Sequence, residues 1–198
     1  MSDSPIQLLT TSSTGDGEHL AALHADLVDR ASAESSVDAT YRVVDSPVGR
    51  LLLAATENGV VRVAFAVEDH DRVLDSLGAS VGSRILRGGS RLDPLARELD
   101  DYFAGRRHGF DVPLDLSLAR GFRLTVLRHL SEIPYGSTES YGEVAVASGS
   151  PRAVRAVGSA CATNPLPIVV PCHRVLRSDG SLGGYLGGLQ TKERLLAL

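Results

Sequence analysis

Two cysteines, Cys161 and Cys172, are all that this chain of 198 residues contains. That is too few for a disulfide framework, and their spacing gives no CxxC pair. With the histidines scattered as well, no metal site and no cofactor is expected. No apolar run reaches the length of a membrane span, and the first residues lack the charged stretch and apolar core of a secretory signal. The expectation is therefore a cytoplasmic protein with no membrane partner, in a compartment that keeps thiols reduced. Positive charge is scarce too: 20 basic residues against 24 acidic ones leave a net charge of −4. Taken whole, that balance argues against a nucleic-acid partner.

Divided, the chain reads differently. From Ala119 to Leu198 there are nine basic and five acidic residues, a net of +4, so the rest carries −8. A basic carboxyl-terminal half on an acidic amino-terminal half fits a DNA-binding module attached to a carrier domain, with arginines available for phosphates.

What stands out is Asn164-Pro165-Leu166-Pro167-Ile168-Val169-Val170-Pro171-Cys172-His173-Arg174-Val175. Prolines fix φ and withhold a donor, so this apolar run is expected to be extended, with Cys172 as a nucleophile at the end of a buried strand. A cysteine attacks as thiolate and needs a base or a positive field nearby, for which His173 and Arg174 are the nearest candidates. Neighbours on an extended segment point to opposite faces, so His173 would have to act through a bridging water or a bend. By itself such a cysteine is more often an inert core residue.

Residues 1 to about 16 lack periodicity and read as disordered. Leu20, Leu23, Leu27 and Val28 then predict an amphipathic helix over Glu18 to Ala33, followed by a linker to Thr40. Strands follow at Tyr41 to Val44, Leu51 to Thr56 and Val60 to Phe65, the last two joined by an Asn58-Gly59 hairpin signal. Leu92 to Phe103 is a helix with one apolar face, making a small α+β domain, and Asp111 to Leu114 leads onward. Helices are expected at Phe122 to Leu130, Tyr141 to Ala147 and Pro151 to about Ala162, the last capped by Ser150 with proline at its first position. The turn at Gly149 makes the last two a helix-turn-helix. The small residues of the second could meet a nucleic-acid backbone on one face and pack inward on the other.

Pro171-Cys172-His173-Arg174-Val175, Asn164-Pro165, Pro151 to Gly158, Ile133-Pro134-Tyr135-Gly136 and Ser140-Tyr141-Gly142 occur in the order and spacing of one family. From Tyr41 to Leu198 the chain resembles the O6-alkylguanine-DNA alkyltransferases, the methylated-DNA-protein-cysteine methyltransferases. The resemblance implies an α+β fold: an extension over 1–40, a ribonuclease-H-like domain over 41–115, and a winged helix-turn-helix-like DNA-binding and alkyltransferase domain over 116–198. It implies a monomer that acts on double-stranded DNA carrying alkylated bases, flips O6-alkylguanine or O4-alkylthymine out of the stack, and takes the alkyl group irreversibly onto Cys172. In that reading Tyr141 rotates the 3′ phosphate, Arg155 plugs the vacated stack, His173 draws off the thiol proton through water, and Asn164 braces the loop. The Val175 backbone reads the base edge, and Tyr185, in the glycine-rich stretch Gly180 to Gly188, walls the pocket.

The resemblance also marks a departure. A glutamate usually follows the Leu-Leu pair of the last helix and completes a cysteine, water, histidine, glutamate relay. Here Leu195-Leu196-Ala197-Leu198 ends before that position, and Glu193 does not match it; an unoriented His173 would slow transfer. Two rivals follow: an alkyltransferase-like protein that binds lesions without chemistry, against which Cys172 counts, and a cysteine hydrolase, which would need a histidine facing the thiol and an oxyanion hole.

Overall fold

A computed structural model describes residues 14–34 and 36–198. The expectation of disorder for the first sixteen residues falls largely outside them. The Asn58-Gly59 signal forms its hairpin: β2 (Leu51–Thr56) pairs antiparallel with β3 (Gly59–Phe65), closing at Thr56 opposite Gly59. β1 (Ala39–Val44) lies antiparallel on the other side of β2. The three-residue β4 (Ile85–Arg87), which no local signal announces, adds to β1 in parallel, so the sheet order is β3-β2-β1-β4.

Because β2 is central and covered on both faces, its apolar residues run without alternation. Leu51, Leu53 and Ala55 join the main core; Leu52 and Ala54 face the opposite way, onto Val73 and Leu77 of α2 (His70–Val81), a helix absent from the sequence reading. α3 (Asp93–Phe103) buries Leu95, Leu99 and Tyr102 as its spacing predicts. The main core continues from β2 and β3 into the helical half of the chain, through Val126, Leu127, Val144, Val157, Val170 and Val175. The connector is zippered onto β3: Val60 N–H donates to Pro113 and Asp115 N–H to Val60, both at 2.8 Å.

α1 (Thr14–Ala33) forms, but its expected apolar face does not pack. Leu20, Leu23 and Leu27 are 66, 53 and 63% exposed, and Val28 is buried. The helix is docked by a different face, where His24 donates to the Arg87 carbonyl at 2.7 Å and Asp29 accepts from Ser90 N–H at 2.8 Å. Directional bonds at the 87–90 turn set its rotation.

The second half holds α4 (Gly121–Leu130), α5 (Tyr141–Ala147), α6 (Val154–Ala162) and α7 (Leu189–Leu196), with a short parallel pair of β5 (Glu139–Ser140) and β6 (Val175–Leu176). α5 starts in a capping box, Ser140 and Glu143 each accepting the other's backbone N–H. It ends where Ser150 N–H reaches Ala145 O and Gly149 N–H reaches Val146 O, with Gly149 at φ 75°. That left-handed glycine turns the chain into α6.

Two expectations fail in this half. α6 begins at Val154, not at Pro151, and no side chain caps it. Ser150 to Ala153 instead close a turn, Ala153 N–H donating to Ser150 O at 2.8 Å, so the proline occupies the turn and the helix starts after it. Nor is the run before Cys172 a strand. Its prolines supply no ladder donors, and it folds as consecutive buried turns, with Val170 N–H on Leu166 O at 2.8 Å and Ile168 at φ 76°. A β-branched residue at positive φ costs about 1–3 kcal/mol, and Ile168 is held there by near-complete burial.

Candidate active site

Cys172 opens a short 3-10 turn, Cys172–Arg174, and is 2% exposed. The turn follows from Pro171: with no donor of its own, its carbonyl accepts from Arg174 N–H at 2.9 Å, while Cys172 N–H bonds Val170 O at 2.8 Å. Asn164, fully buried, supplies what the turns cannot. Its Nδ2 donates to Val170 O at 2.9 Å and to Cys172 Sγ at 3.2 Å, and its Oδ1 accepts from Leu166 N–H at 2.9 Å. An amide is needed here because both a donor and an acceptor are used.

Burial pushes the Cys172 thiol up to about 11; the Asn164 hydrogen bond and the Lys192 charge pull the other way. Burial likewise raises the thiol of Cys161 on α6. His173 is 0% exposed, and neither ring nitrogen has a hydrogen-bond partner among the described residues. Burial, helped by the charges of Arg174 and Lys192, lowers its pKa to about 3, so at neutral pH it is an uncharged imidazole. No carboxylate bonds to it among the described residues.

The positive charge near the thiol is not the one the sequence suggested. Arg174 turns away, donating to Ile133 O at 2.7 Å and lying over the Tyr135 ring at 5.6 Å. It ties the cysteine turn to the Ile133-Pro134-Tyr135-Gly136 loop. The charge comes from Lys192 on α7, wholly buried, its Nζ donating to Val175 O at 2.6 Å. A lysine inside a sequence as polar as that of α7 looks solvated, and only the tertiary placement reveals it. Val175 N–H is also engaged, on Cys172 O.

Tyr185 stands between Phe65 of β3 and His173, edge-on to both, with ring centroids 5.7 and 6.4 Å away. Its hydroxyl is buried without a partner among the described residues. Tyr141, the first residue of α5, is half-buried, and burial, with Cys161 and Cys172, raises its pKa so that the phenol stays protonated. Arg155 stands apart from this group, exposed in the first turn of α6. On that helix Val157, Ala160 and Cys161 face inward while Ala156 and Ser159 are exposed.

Two family models account for nearly all of the chain beyond α1: "6-O-methylguanine DNA methyltransferase, ribonuclease-like domain" over residues 39–116, and the DNA binding domain of the same family over residues 121–198. The chain belongs to the 6-O-methylguanine DNA methyltransferase family. Among similar members, the methylated-DNA–protein-cysteine methyltransferase of Methanosarcina barkeri is 40% identical over 80% of this chain and 95% of its own length. That of Mycolicibacterium paratuberculosis is 42% identical, over 80% and 90%. A crystal structure of Mycobacterium tuberculosis OGT in complex with DNA matches with a TM-score of 0.69 and 40% identity, covering 80% of this chain and 91% of that one. An α+β fold with a small sheet first and a helical part second is thus the family's own. Among the described residues no helix is long and apolar enough to cross a membrane.

Proposed function

We propose that the protein repairs duplex DNA by taking the alkyl group of O6-alkylguanine, and of O4-alkylthymine, onto Cys172. The observation that carries this is a fully buried thiol held by the Asn164 amide, next to an uncharged His173, in a chain of this family. The thiol's sulfur forms a bond to the alkyl carbon as the bond from that carbon to O6 breaks. The proton leaving sulfur, drawn off by His173 through water, ends on the released guanine. The product is a thioether, which water does not reverse, so each molecule acts once.

The reacting base lies inside the duplex and must be swung out first. In this reading Tyr141 rotates the phosphate beside it, Arg155 fills the gap in the stack, the Val175 backbone meets the base edge and Tyr185 forms the pocket wall. Its exposure in the first turn of α6 leaves Arg155 free to enter DNA. Residues 41–115 serve as the ribonuclease-H-like domain, 116–198 as the DNA-binding and transfer domain, and 1–40 as an extension, in a monomer of a reducing, cytoplasmic compartment.

Incubation with a duplex labelled in the O6-methyl group tests this. Label on Cys172, lost in Cys172→Ala, is expected. Tight lesion binding with no transfer would instead select a non-catalytic lesion-binding protein.

A further inference from the structure

The sheet of the ribonuclease-like half reaches the nucleophile. Val63 N–H on β3 donates to Pro165 O at 2.8 Å, so the strand's outer edge is completed by the turn that begins the active-site segment. One residue earlier, Arg62 Nη1 donates to Pro165 O at 3.1 Å and to Asn164 O at 3.4 Å, and also to Val63 O at 3.2 Å. Its Nη2 is held by Glu68, whose other oxygen accepts Phe65 N–H at 2.8 Å. The pair is mostly buried, with side chains 15 and 12% exposed. A guanidinium can hold a carboxylate on one side and several carbonyls on the other because its donors form a rigid fork.

Asn164 is thus gripped twice, through its backbone by Arg62 and through its side chain by the cysteine turn. We propose that Arg62, oriented by Glu68, is a positioning residue for the Cys172 nucleophile: by holding the Asn164 and Pro165 carbonyls it keeps the Asn164 amide on Sγ. The inference rests on the transfer reading above and gives the ribonuclease-like half a part in the chemistry. Burial is the main force keeping the thiol protonated, and the Asn164 hydrogen bond is the first influence opposing it. A displaced amide removes that influence.

The titratable and charged groups around the thiol are Cys161 on α6, Tyr141 on α5, Tyr185 in the following loop, His173 and Arg174 in its own turn, and Lys192 on α7. Arg62 forms hydrogen bonds with none of them, so its loss acts on the thiol through Asn164.

The test is single-turnover transfer from a duplex carrying O6-methylguanine, measured from pH 6 to 10 with the full chain, Arg62→Ala and Arg62→Lys, alongside lesion-duplex affinity and thermal melting. Arg62→Ala is expected to transfer about ten-fold or more slowly at neutral pH, with its pH–rate profile moved to higher pH and its DNA affinity unchanged. Arg62→Lys keeps the charge beside Glu68 but not the fork, and is expected to fold with an intermediate profile. It carries the test if the alanine variant does not fold. An active parent whose Arg62 variants keep its rate and pH profile overturns this proposal alone. So does a loss of rate equal at every pH and accompanied by lost DNA binding. A parent that does not alkylate Cys172 overturns the transfer reading as well.

Discussion

The hydroxyl of Tyr141 occupies the space that a side chain at residue 183 would need: a Cβ built on Gly183 would sit 2.3 Å from it and 2.9 Å from the ring. The glycine of the pocket loop and the tyrosine at the start of α5 are therefore fitted to each other, and the loop can lie against the ring only while residue 183 has no side chain. Gly183→Ala is expected to displace the tyrosine or the loop, at a cost of about 1–3 kcal/mol in folding stability. Transfer should fall with it, whereas Gly184→Ala, where a Cβ meets nothing, should be mild. Urea unfolding and single-turnover transfer of the two variants check this.

Asn164→Ala removes three hydrogen bonds at once and leaves Leu166 N–H and Val170 C=O buried without that partner. The expected loss of stability is about 2–4 kcal/mol. Asn164→Asp separates the roles: it keeps the acceptor for Leu166 but replaces the donor on Sγ with negative charge. Its thiol pKa should rise further, and its transfer rate at neutral pH should drop more than its stability does. Thiol titration with an alkylating reagent reads the first, and denaturant unfolding the second.

Lys192→Met keeps the volume of the buried side chain but removes the charge that opposes burial at Cys172. Transfer at neutral pH is expected to slow about ten-fold, with the pH–rate profile moved upward. A profile that keeps its position would show that the charge does not act on the thiol.

His173 carries a pH signature in stability. An unfolded imidazole takes a proton near 6.5, the folded one not until about 3. The unfolded chain therefore binds the extra proton in between, so stability is complete above pH 6.5 and falls as the pH drops toward 3. Cys172 acts at the other end: stability is complete below pH 9, where an unfolded thiol begins to ionise, and is lost as the pH rises toward about 11. Urea unfolding at pH 7, 5 and 4 should show a steeper acid loss in the parent than in His173→Phe.

Arg155→Ala should leave melting unchanged, since the side chain is exposed. It should weaken binding to lesion DNA and lower the salt dependence of binding by about one ion. Affinity measured across a salt series decides.

Local signals placed most of the scaffold. Asn58-Gly59 marked the hairpin, the apolar spacing of Leu95, Leu99 and Tyr102 marked α3, and Tyr141 to Ala147 was delimited to the residue. The errors came where long-range partners or turn chemistry won. Leu20, Leu23 and Leu27 were overruled by the bonds of His24 and Asp29, Ser150-Pro151 closed a turn before α6 began, and the proline-rich run became turns because it has too few donors for a ladder. Motif residues in one contiguous stretch, Asn164 to Val175, could be read from sequence. Lys192 and Arg62 could not, because each reaches the site across the fold and stands in an otherwise ordinary surface-like context.

Intact mass of the full chain after one equivalent of duplex containing a single O6-methylguanine, followed by peptide mapping, is the most direct measurement. The account predicts a gain of one methylene per molecule, located on the peptide holding Cys172 and absent in Cys172→Ala. An unchanged mass, or a methyl group mapped to another residue, would contradict it.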